Sequence, residues 1–231
     1  MRYINKGEEP LFMKQWKEEQ KRANLPLRYS DFRDKSKLNE VLRTVQHGIC
    51  CYCEKSIDHF QGNLESGAHN EHLIPESGPN GVLDKQMDFE NIYACCIASK
   101  GKERKKTHCG EHKADQTIFP FIQDNECHNY FKYNVLGEIT PNGKYVKWSE
   151  YEDNIATLTS IEKEATRTIK VLNLNCCTLV NERKENLLKM MQWAVTQNAE
   201  SIRKKIEEFE NREVYPQFVD LHLFFLRKRL R

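Results

Sequence analysis

The sequence lacks the features that would place the chain in or across a membrane. No stretch approaches the ~20 apolar residues of a transmembrane helix, and the most apolar segment, FVDLHLFFL at 218–226, is far too short. The N-terminal stretch MRYINKGEEPLF has no apolar core and no small-residue cleavage site, so it does not read as a signal peptide. The sequence therefore predicts a cytoplasmic protein with no membrane partner.

The sequence also lacks an excess of charge of one sign. It has 36 basic and 34 acidic residues among 231, for a net charge of +2, so the total charge does not indicate a class of partner. Basic residues cluster in KGKERKK (100–106) and RKRLR (227–231). The first run fits either a solvated loop or a phosphate contact, and the second fits a helix C-terminus.

A fully paired disulfide framework is excluded, because the chain has nine cysteines. Thiols stay reduced in the cytosol, so clustered cysteines there indicate metal or redox chemistry. A thioredoxin-like site needs a βαβ context, and none surrounds the C-x-x-C pair of Cys50 and Cys53. Metal binding is therefore the favoured interpretation.

The spacing of the cysteines predicts a structural zinc site. Zinc is held by converging pairs of thiolates at about 2.3 Å. Cys50 and Cys53 form one pair, and Cys96 and Cys109 can form the second, with Cys95 as the alternative to Cys96. The remaining cysteines are expected outside the site, as a bystander or as ordinary buried residues: Cys51, Cys127, Cys176 and Cys177.

The sequence divides into three regions by composition and predicted elements. These are N-terminal helices at 1–47, a cysteine- and histidine-rich module at 48–135, and a hairpin followed by helices at 136–231. We expect them to pack together as one unit. Apolar spacing and breakers predict the following elements: helices at 10–23, 36–48, 160–174 and 179–212, a last helix from Pro216, and one or two hairpins within 124–148.

Several details of these helices follow from the pattern. Ser36 and Ser160 are expected to cap the second helix and the 160–174 helix, the latter with Glu164 nearby. The first helix is expected to bury one apolar face, formed by Leu11, Phe12 and Trp16. The 179–212 helix carries an apolar stripe that predicts a packing surface: Leu188, Met191, Val195, Ile202, Ile206 and Phe209.

Acidic and histidine residues between the cysteines predict a second site. Adjacent side chains on a strand point to opposite faces, so Glu71 can hold a metal while His72 faces a substrate. His108 and His112 lie four residues apart, which is a metal-ligand spacing on a helix turn. A metal beside an imidazole base suits phosphodiester hydrolysis, in which the metal neutralises the phosphate and the histidine deprotonates water.

The segments CCYCE, EHLIPES, ENIYACC and HCGEHKAD resemble the HNH endonucleases of the ββα-metal type, which carry zinc-knuckle cysteines. MRYINKGEEP, CGEHKAD and LNLNCCTLVNERK (172–184) are similar to the PtuB-type HNH nucleases of Septu and retron anti-phage systems. The resemblance spans nearly the whole chain. It implies an α+β fold, in which a mostly helical chain carries a small ββα-metal module with a zinc knuckle.

The resemblance also implies roles for individual residues. His72 matches the general base, and Asn91 matches the asparagine that orients it. Glu71 and His112 match the ligands of a catalytic Mg²⁺ or Mn²⁺, and His108 is a further candidate ligand. Lys113, within the motif helix, is a candidate for binding phosphate.

The implied activity is metal-dependent hydrolysis of nucleic acid, DNA or RNA, in anti-phage defence. The implied partners are a PtuA-type ABC ATPase and, in a retron, a reverse transcriptase with its non-coding RNA. Two alternatives stay open: a zinc-stabilised subunit that binds nucleic acid or protein without catalysis, and an HNH ribonuclease that acts on tRNA. The intact pair of Glu71 and His72 speaks against the first.

Overall fold

The protein was analysed as a computed structural model, which describes residues 1–57, 67–97, 101 and 103–231. Within the basic run at 100–106, Lys100 and Lys102 lie outside the described residues. The described helices are α1 (Leu11–Arg22), α2 (Lys35–Val45), α3 (Gly110–Lys113), α4 (Tyr151–Asn154), α5 (Ser160–Val171), α6 (Cys177–Val195), α7 (Ala199–Glu210) and α8 (Val219–Arg229). The strands are β1 (Ala68–His72), β2 (Ile92–Cys96), β3 (Phe131–Tyr133) and β4 (Ile139–Pro141).

The strands form two small antiparallel sheets. β1 pairs with β2 in a register that sets Ala68 opposite Cys96 and His72 opposite Ile92. β3 pairs with β4, which confirms a hairpin within 124–148. Its turn uses Gly137 at a φ of 89°, a conformation that residues with a Cβ avoid. The mixture of helices and small sheets agrees with the predicted α+β class.

Two of the predicted helix details near the N-terminus are wrong. Leu11 is 69% exposed, and the residue of α1 that is fully buried is Met13. Phe12 and Trp16 do pack against the core, Trp16 edge-on against Phe32 at a ring distance of 5.1 Å, so the predicted face is wrong only for Leu11. Ser36 lies inside α2, whose first residue is Lys35, and so does not cap it.

The predicted N-cap of α5 is also wrong. Thr159 occupies the N-cap, its hydroxyl accepts a hydrogen bond from the Glu162 N–H, and the Glu162 carboxylate accepts one from the Thr159 N–H. This reciprocal capping box takes the place expected for Ser160 and Glu164.

The predicted helix at 179–212 is two helices. The break follows Val195, and Asn198 begins α7 by accepting a hydrogen bond from the Ser201 N–H at 2.9 Å. The apolar stripe divides at this break. Ile202 and Phe209 are buried and Ile206 packs beside them, whereas the α6 members are exposed by 40–67%: Leu188, Met191 and Val195.

One main core joins segments from all parts of the chain. Buried side chains from each of the three sequence regions contact one another in it, among them Met13, Leu42, Tyr93, Cys109, Leu172, Leu187 and Leu221. Cys127 and Cys176 are buried as expected, but Cys177 is exposed because it is the first residue of α6. Within the described part of the chain, no helix combines the length and apolarity needed to cross a membrane.

Burial of His222 on α8 predicts a pH-dependent stability. Its side chain packs near Phe209 in a second apolar cluster, and burial lowers its pKa to about 4. Since this lies below the unfolded value of about 6.5, protonation favours the unfolded chain. The contribution to stability is therefore complete above pH 6.5 and is lost as the pH falls towards 4.

We expect wild type to lose about 1 kcal/mol more free energy of unfolding than His222→Leu between pH 7 and pH 5.5. Urea unfolding at the two pH values measures the difference. An equal loss in both proteins would show that His222 does not titrate differently on folding.

Candidate active site and cysteine cluster

Five cysteines and one histidine form a buried cluster between the turn that follows α2, the end of β2 and the start of α3. Their ligand atoms fall into two groups in which all members lie within 4.8 Å of one another. The first group is Cys50, Cys95, Cys96 and Cys109, and the second is Cys53, Cys96, His108 and Cys109. This cluster could hold a metal ion such as zinc.

The spacing of the donor atoms fits a tetrahedral metal. Cys50 Sγ lies 3.9 Å from both Cys95 Sγ and Cys109 Sγ, and Cys53 Sγ lies 3.6 Å from Cys96 Sγ. Four sulfurs at about 2.3 Å from one zinc ion are about 3.8 Å apart. These three sulfur pairs therefore lie at separations close to those of zinc ligands.

The predicted zinc ligands all lie in this cluster, but they divide between its two groups. Cys96 and Cys109 belong to both groups, whereas Cys50 and Cys53 belong to one each. The cysteine spacing did not predict that Cys95 and His108 would both lie with them. The Nδ1 atom of His108 lies 3.2 Å from Cys109 Sγ, so this imidazole sits with the thiols.

The thiols of this cluster differ in how readily they ionise. Burial opposes ionisation of every thiol, yet hydrogen bonds from Cys109 and other neighbours hold the pKa of Cys50 well below its usual range. Burial and the same neighbours raise the pKa of Cys109. A bound divalent cation would allow several of these thiols to ionise together.

The LNLN segment after α5 braces the cluster. The Cys109 N–H donates to the Leu172 carbonyl at 2.8 Å, and the Asn173 amide donates to the Thr107 carbonyl at 2.7 Å. Asn175 pairs with both backbone groups of Ile139 on β4. These residues therefore connect the cysteine cluster, the hairpin of β3 and β4, and α5.

Strand β1 presents two chemically different faces. Asn70 and His72 point towards Tyr29, whose hydroxyl accepts from the Asn70 amide at 2.8 Å. His69 and Glu71 point to the other side, where α3 begins. This alternation places an imidazole and a carboxylate back to back, as the period of two requires.

The His72 ring is held in one orientation. Its Nε2 lies 2.9 Å from the Gln86 carbonyl oxygen, and its edge packs against Tyr29 at a ring distance of 4.6 Å. A carbonyl oxygen only accepts, so Nε2 carries the proton and Nδ1 keeps a free electron pair. Burial lowers the pKa of His72, although the Gln86 contact opposes this, and the ring is therefore neutral near pH 7.

Asn91 does not contact the His72 ring as predicted, because its amide has other partners. Oδ1 accepts from the Ile74 N–H at 2.7 Å, and Nδ2 donates to the carbonyls of Ile74 and Lys85, both at 2.9 Å. The amide thus ties the chain after β1 to the residue before Gln86. Lys85 precedes Gln86, whose carbonyl contacts the His72 ring.

Glu71 lies in a buried ion pair. Its Oε1 is 3.0 Å from Lys113 Nζ and 3.4 Å from the Tyr52 hydroxyl, and its Oε2 is 3.2 Å from His69 Nε2. Burial opposes its ionisation, but the His69 hydrogen bond and the Lys113 charge outweigh this and lower the pKa of Glu71. The carboxylate is therefore charged at neutral pH.

Lys113, the predicted phosphate contact, is buried and has partners inside the protein. It is 1% exposed, and besides Glu71 its Nζ contacts the His72 carbonyl at 2.9 Å. Its ammonium group is used inside the protein, where it balances the Glu71 charge and fixes the end of β1.

Removing this ammonium group is expected to destabilise the chain strongly. Lys113→Met should lower the free energy of unfolding by about 3 kcal/mol, because it leaves a buried carboxylate without its ammonium partner. The matched control is Lys106→Met, whose lysine is exposed and pairs with Glu103 on the surface; it should cost less than about 1 kcal/mol. Urea unfolding gives both values, and equal costs would contradict the buried pair.

The two histidines of the H-x-x-x-H spacing are not on one helix face. Cys109 adopts a φ of 58° between them, and α3 begins only at Gly110. His108 consequently turns into the cysteine cluster, while His112 Nδ1 lies 2.9 Å from the Val171 carbonyl at the end of α5. Among the described residues, the structure brings neither of them into a three-ligand group with Glu71.

Sequence reasoning missed three parts of this site: His69, the Gln86 carbonyl and Tyr29. The two-residue spacing of His69 and Glu71 could have indicated His69, because residues two apart on a strand share one face. The other two come from distant segments, and no local pattern marks them.

No protein-family model matches the chain. Two curated proteins are similar to it. One, from Vibrio cholerae serotype O1 biovar El Tor, is named as a candidate HNH endonuclease of retron Vc95; it is 29% identical over 164 residues, covering 70% of this chain and 69% of that protein. The other, from Escherichia coli, is named as a candidate HNH endonuclease of retron Ec83; it is 25% identical over 245 positions, covering 94% and 90%. These relatives support a nuclease function.

Proposed function

We propose that this chain is a metal-dependent HNH endonuclease that hydrolyses phosphodiester bonds of nucleic acid. The observation that carries the proposal is the pairing on β1 of a neutral, oriented imidazole with a charged carboxylate on the opposite face. The similarity to two retron proteins named as HNH endonucleases supports the same reaction class.

His72 is the group we assign as general base. Its Nδ1 electron pair can take a proton from water, while Nε2 stays bonded to the Gln86 carbonyl. The resulting imidazolium keeps that hydrogen bond, so the proton transfer needs no rotation of the ring. Tyr29 holds the ring by direct contact, and Asn91 acts only through the backbone at Lys85, next to Gln86.

Glu71 is the carboxylate we assign to the catalytic cation, Mg²⁺ or Mn²⁺. When bound, such a cation neutralises the scissile phosphate and stabilises the leaving oxygen. Lys113 and Tyr52 occupy one carboxylate oxygen, which fixes the direction of the other. The resemblance nominates His112, with His108, as the remaining ligands.

The cysteine cluster is assigned a structural zinc ion. Cys96 and Cys109 are its constant ligands, because they belong to both groups of donors. Cys50 and Cys53, predicted from the spacing, complete the set that we propose, and the structure places each of them in a different one of the two groups. The ion would fasten the turn that follows α2 to the end of β2 and the start of α3.

The names of the relatives favour a role in a retron, and the sequence resemblance favours an effector of anti-phage defence. We assign a PtuA-type ABC ATPase as partner and, in a retron, the reverse transcriptase with its non-coding RNA. Affinity purification of the chain with each of these neighbours tests the assignment. Failure to recover the ATPase would contradict it.

Cleavage assays test the proposed activity. We expect the purified chain, with the ATPase partner present, to cut plasmid DNA or total tRNA when Mg²⁺ or Mn²⁺ is supplied, and to stop when the added cation is chelated. Restored cutting after the cation is returned separates this effect from zinc loss. Binding of nucleic acid without any cutting would instead support the non-catalytic binding subunit.

A further inference from the structure

His69 contacts the carboxylate that we assign to the cation. Its Nε2 lies 3.2 Å from Glu71 Oε2, on the same face of β1. Cis ligands on an octahedral ion at about 2.1 Å are about 3.0 Å apart. The two donor atoms are therefore already separated by nearly the distance that one ion would require.

The two oxygens of the Glu71 carboxylate have different partners, and one of them faces His69. Oε1 contacts Lys113 and Tyr52, both of them buried, while Oε2 faces His69. The Glu71 side chain is 10% exposed and that of His69 is 37% exposed, so the pair lies at the protein surface with its imidazole outermost. An ion there can keep water ligands and can meet a phosphate.

Gly110 lies against the same two donor atoms. A Cβ added there would lie 2.4 Å from Glu71 Oε2 and 3.0 Å from His69 Nε2. Any larger residue at position 110 would therefore collide with the Glu71 carboxylate. Glycine at the start of α3 keeps the space beside Glu71 Oε2 and His69 Nε2 open. The chain supplies no side chain from this position of the helix.

His112 and His108, the candidate ligands suggested by their spacing, contact other groups. His112 Nδ1 contacts the Val171 carbonyl, and His108 lies with the thiols of Cys109 and Cys96. Resting on the function proposed above, we propose that His69, and not His112, is the histidine ligand that holds the divalent cation with Glu71. Imidazole beside carboxylate suits Mn²⁺ better than Mg²⁺, which prefers oxygen donors.

Titration with Mn²⁺ tests whether His69 is a ligand, independently of any cleavage activity. The zinc-loaded chain is titrated with Mn²⁺ alone, and free Mn²⁺ is followed by electron paramagnetic resonance. We expect His69→Ala to weaken binding by at least about tenfold and the matched control His112→Ala to leave it within about twofold. Pulsed measurements on bound Mn²⁺ should show coupling to an imidazole nitrogen in wild type and in His112→Ala, but not in His69→Ala.

The assignment is overturned if His112→Ala weakens binding and removes the nitrogen coupling while His69→Ala does neither, or if His69→Ala leaves both unchanged. Zinc content and circular dichroism establish that each variant is folded, and His69→Gln serves as a second variant if His69→Ala is not. Cleavage that depends on His72 but Mn²⁺ binding that ignores His69 would reject only the ligand. Mn²⁺ held by His69 without any cleavage would reject only the proposed function.

Discussion

Replacing His72 with alanine is expected to lower the rate of nucleic-acid cleavage by about 10²–10⁴-fold. The variant lacks the imidazole whose Nδ1 accepts the proton, while Glu71 and the cysteine cluster keep their contacts. Since the Lys113 contact to residue 72 uses its backbone carbonyl, that bond survives the substitution. The measurement is the initial rate on plasmid DNA and on tRNA at saturating Mn²⁺.

His128→Ala is the matched control, because His128 is an exposed histidine on a short turn outside the site. It should cleave at the wild-type rate. A His72→Ala protein that is folded, binds zinc and cleaves within about threefold of wild type would refute the role of His72 as base.

The second large effect is expected at Cys109. This cysteine is fully buried and belongs to both groups of donors, so Cys109→Ser removes a ligand from either arrangement of the metal. Structural zinc supplies on the order of 10 kcal/mol of apparent free energy in small metal-dependent domains, which is comparable to the whole stability of a typical domain. The variant should lose bound zinc and its cooperative unfolding transition.

Elemental analysis and thermal unfolding measure these two effects. Cys177→Ser is the control, because Cys177 is an exposed thiol at the start of α6. It should keep zinc and unfold at the wild-type temperature. Full zinc content and an unchanged unfolding temperature in Cys109→Ser would contradict a structural metal in this cluster.

The local parts of this structure could be predicted from the sequence. Apolar spacing located α1, α2 and α5, and alternation located the hairpin of β3 and β4. The adjacency of Glu71 and His72 placed them on opposite faces of a strand, and the cysteine pairs located the cluster. Each of these rests on periodicity or short spacing, which backbone geometry fixes.

The parts that could not be predicted depend on contacts between distant segments. Asn91 was assigned to the His72 ring, but its amide bonds the backbone of Ile74 and Lys85. Lys113 was assigned to a phosphate, but it is buried against Glu71. A positive φ at Cys109 turned His108 away from His112, and no residue pattern announced that turn.

Cleavage in heavy-oxygen water (H₂¹⁸O) tests the central claim most directly, since the account assigns water as the attacking group and His72 as its base. We predict that each bond cut by the wild-type chain with Mn²⁺ places one heavy oxygen on the product phosphate, and that His72→Ala forms this labelled product at a correspondingly reduced rate. Product phosphates without the label, or labelled product formed equally well by His72→Ala, would contradict hydrolysis by water at this site.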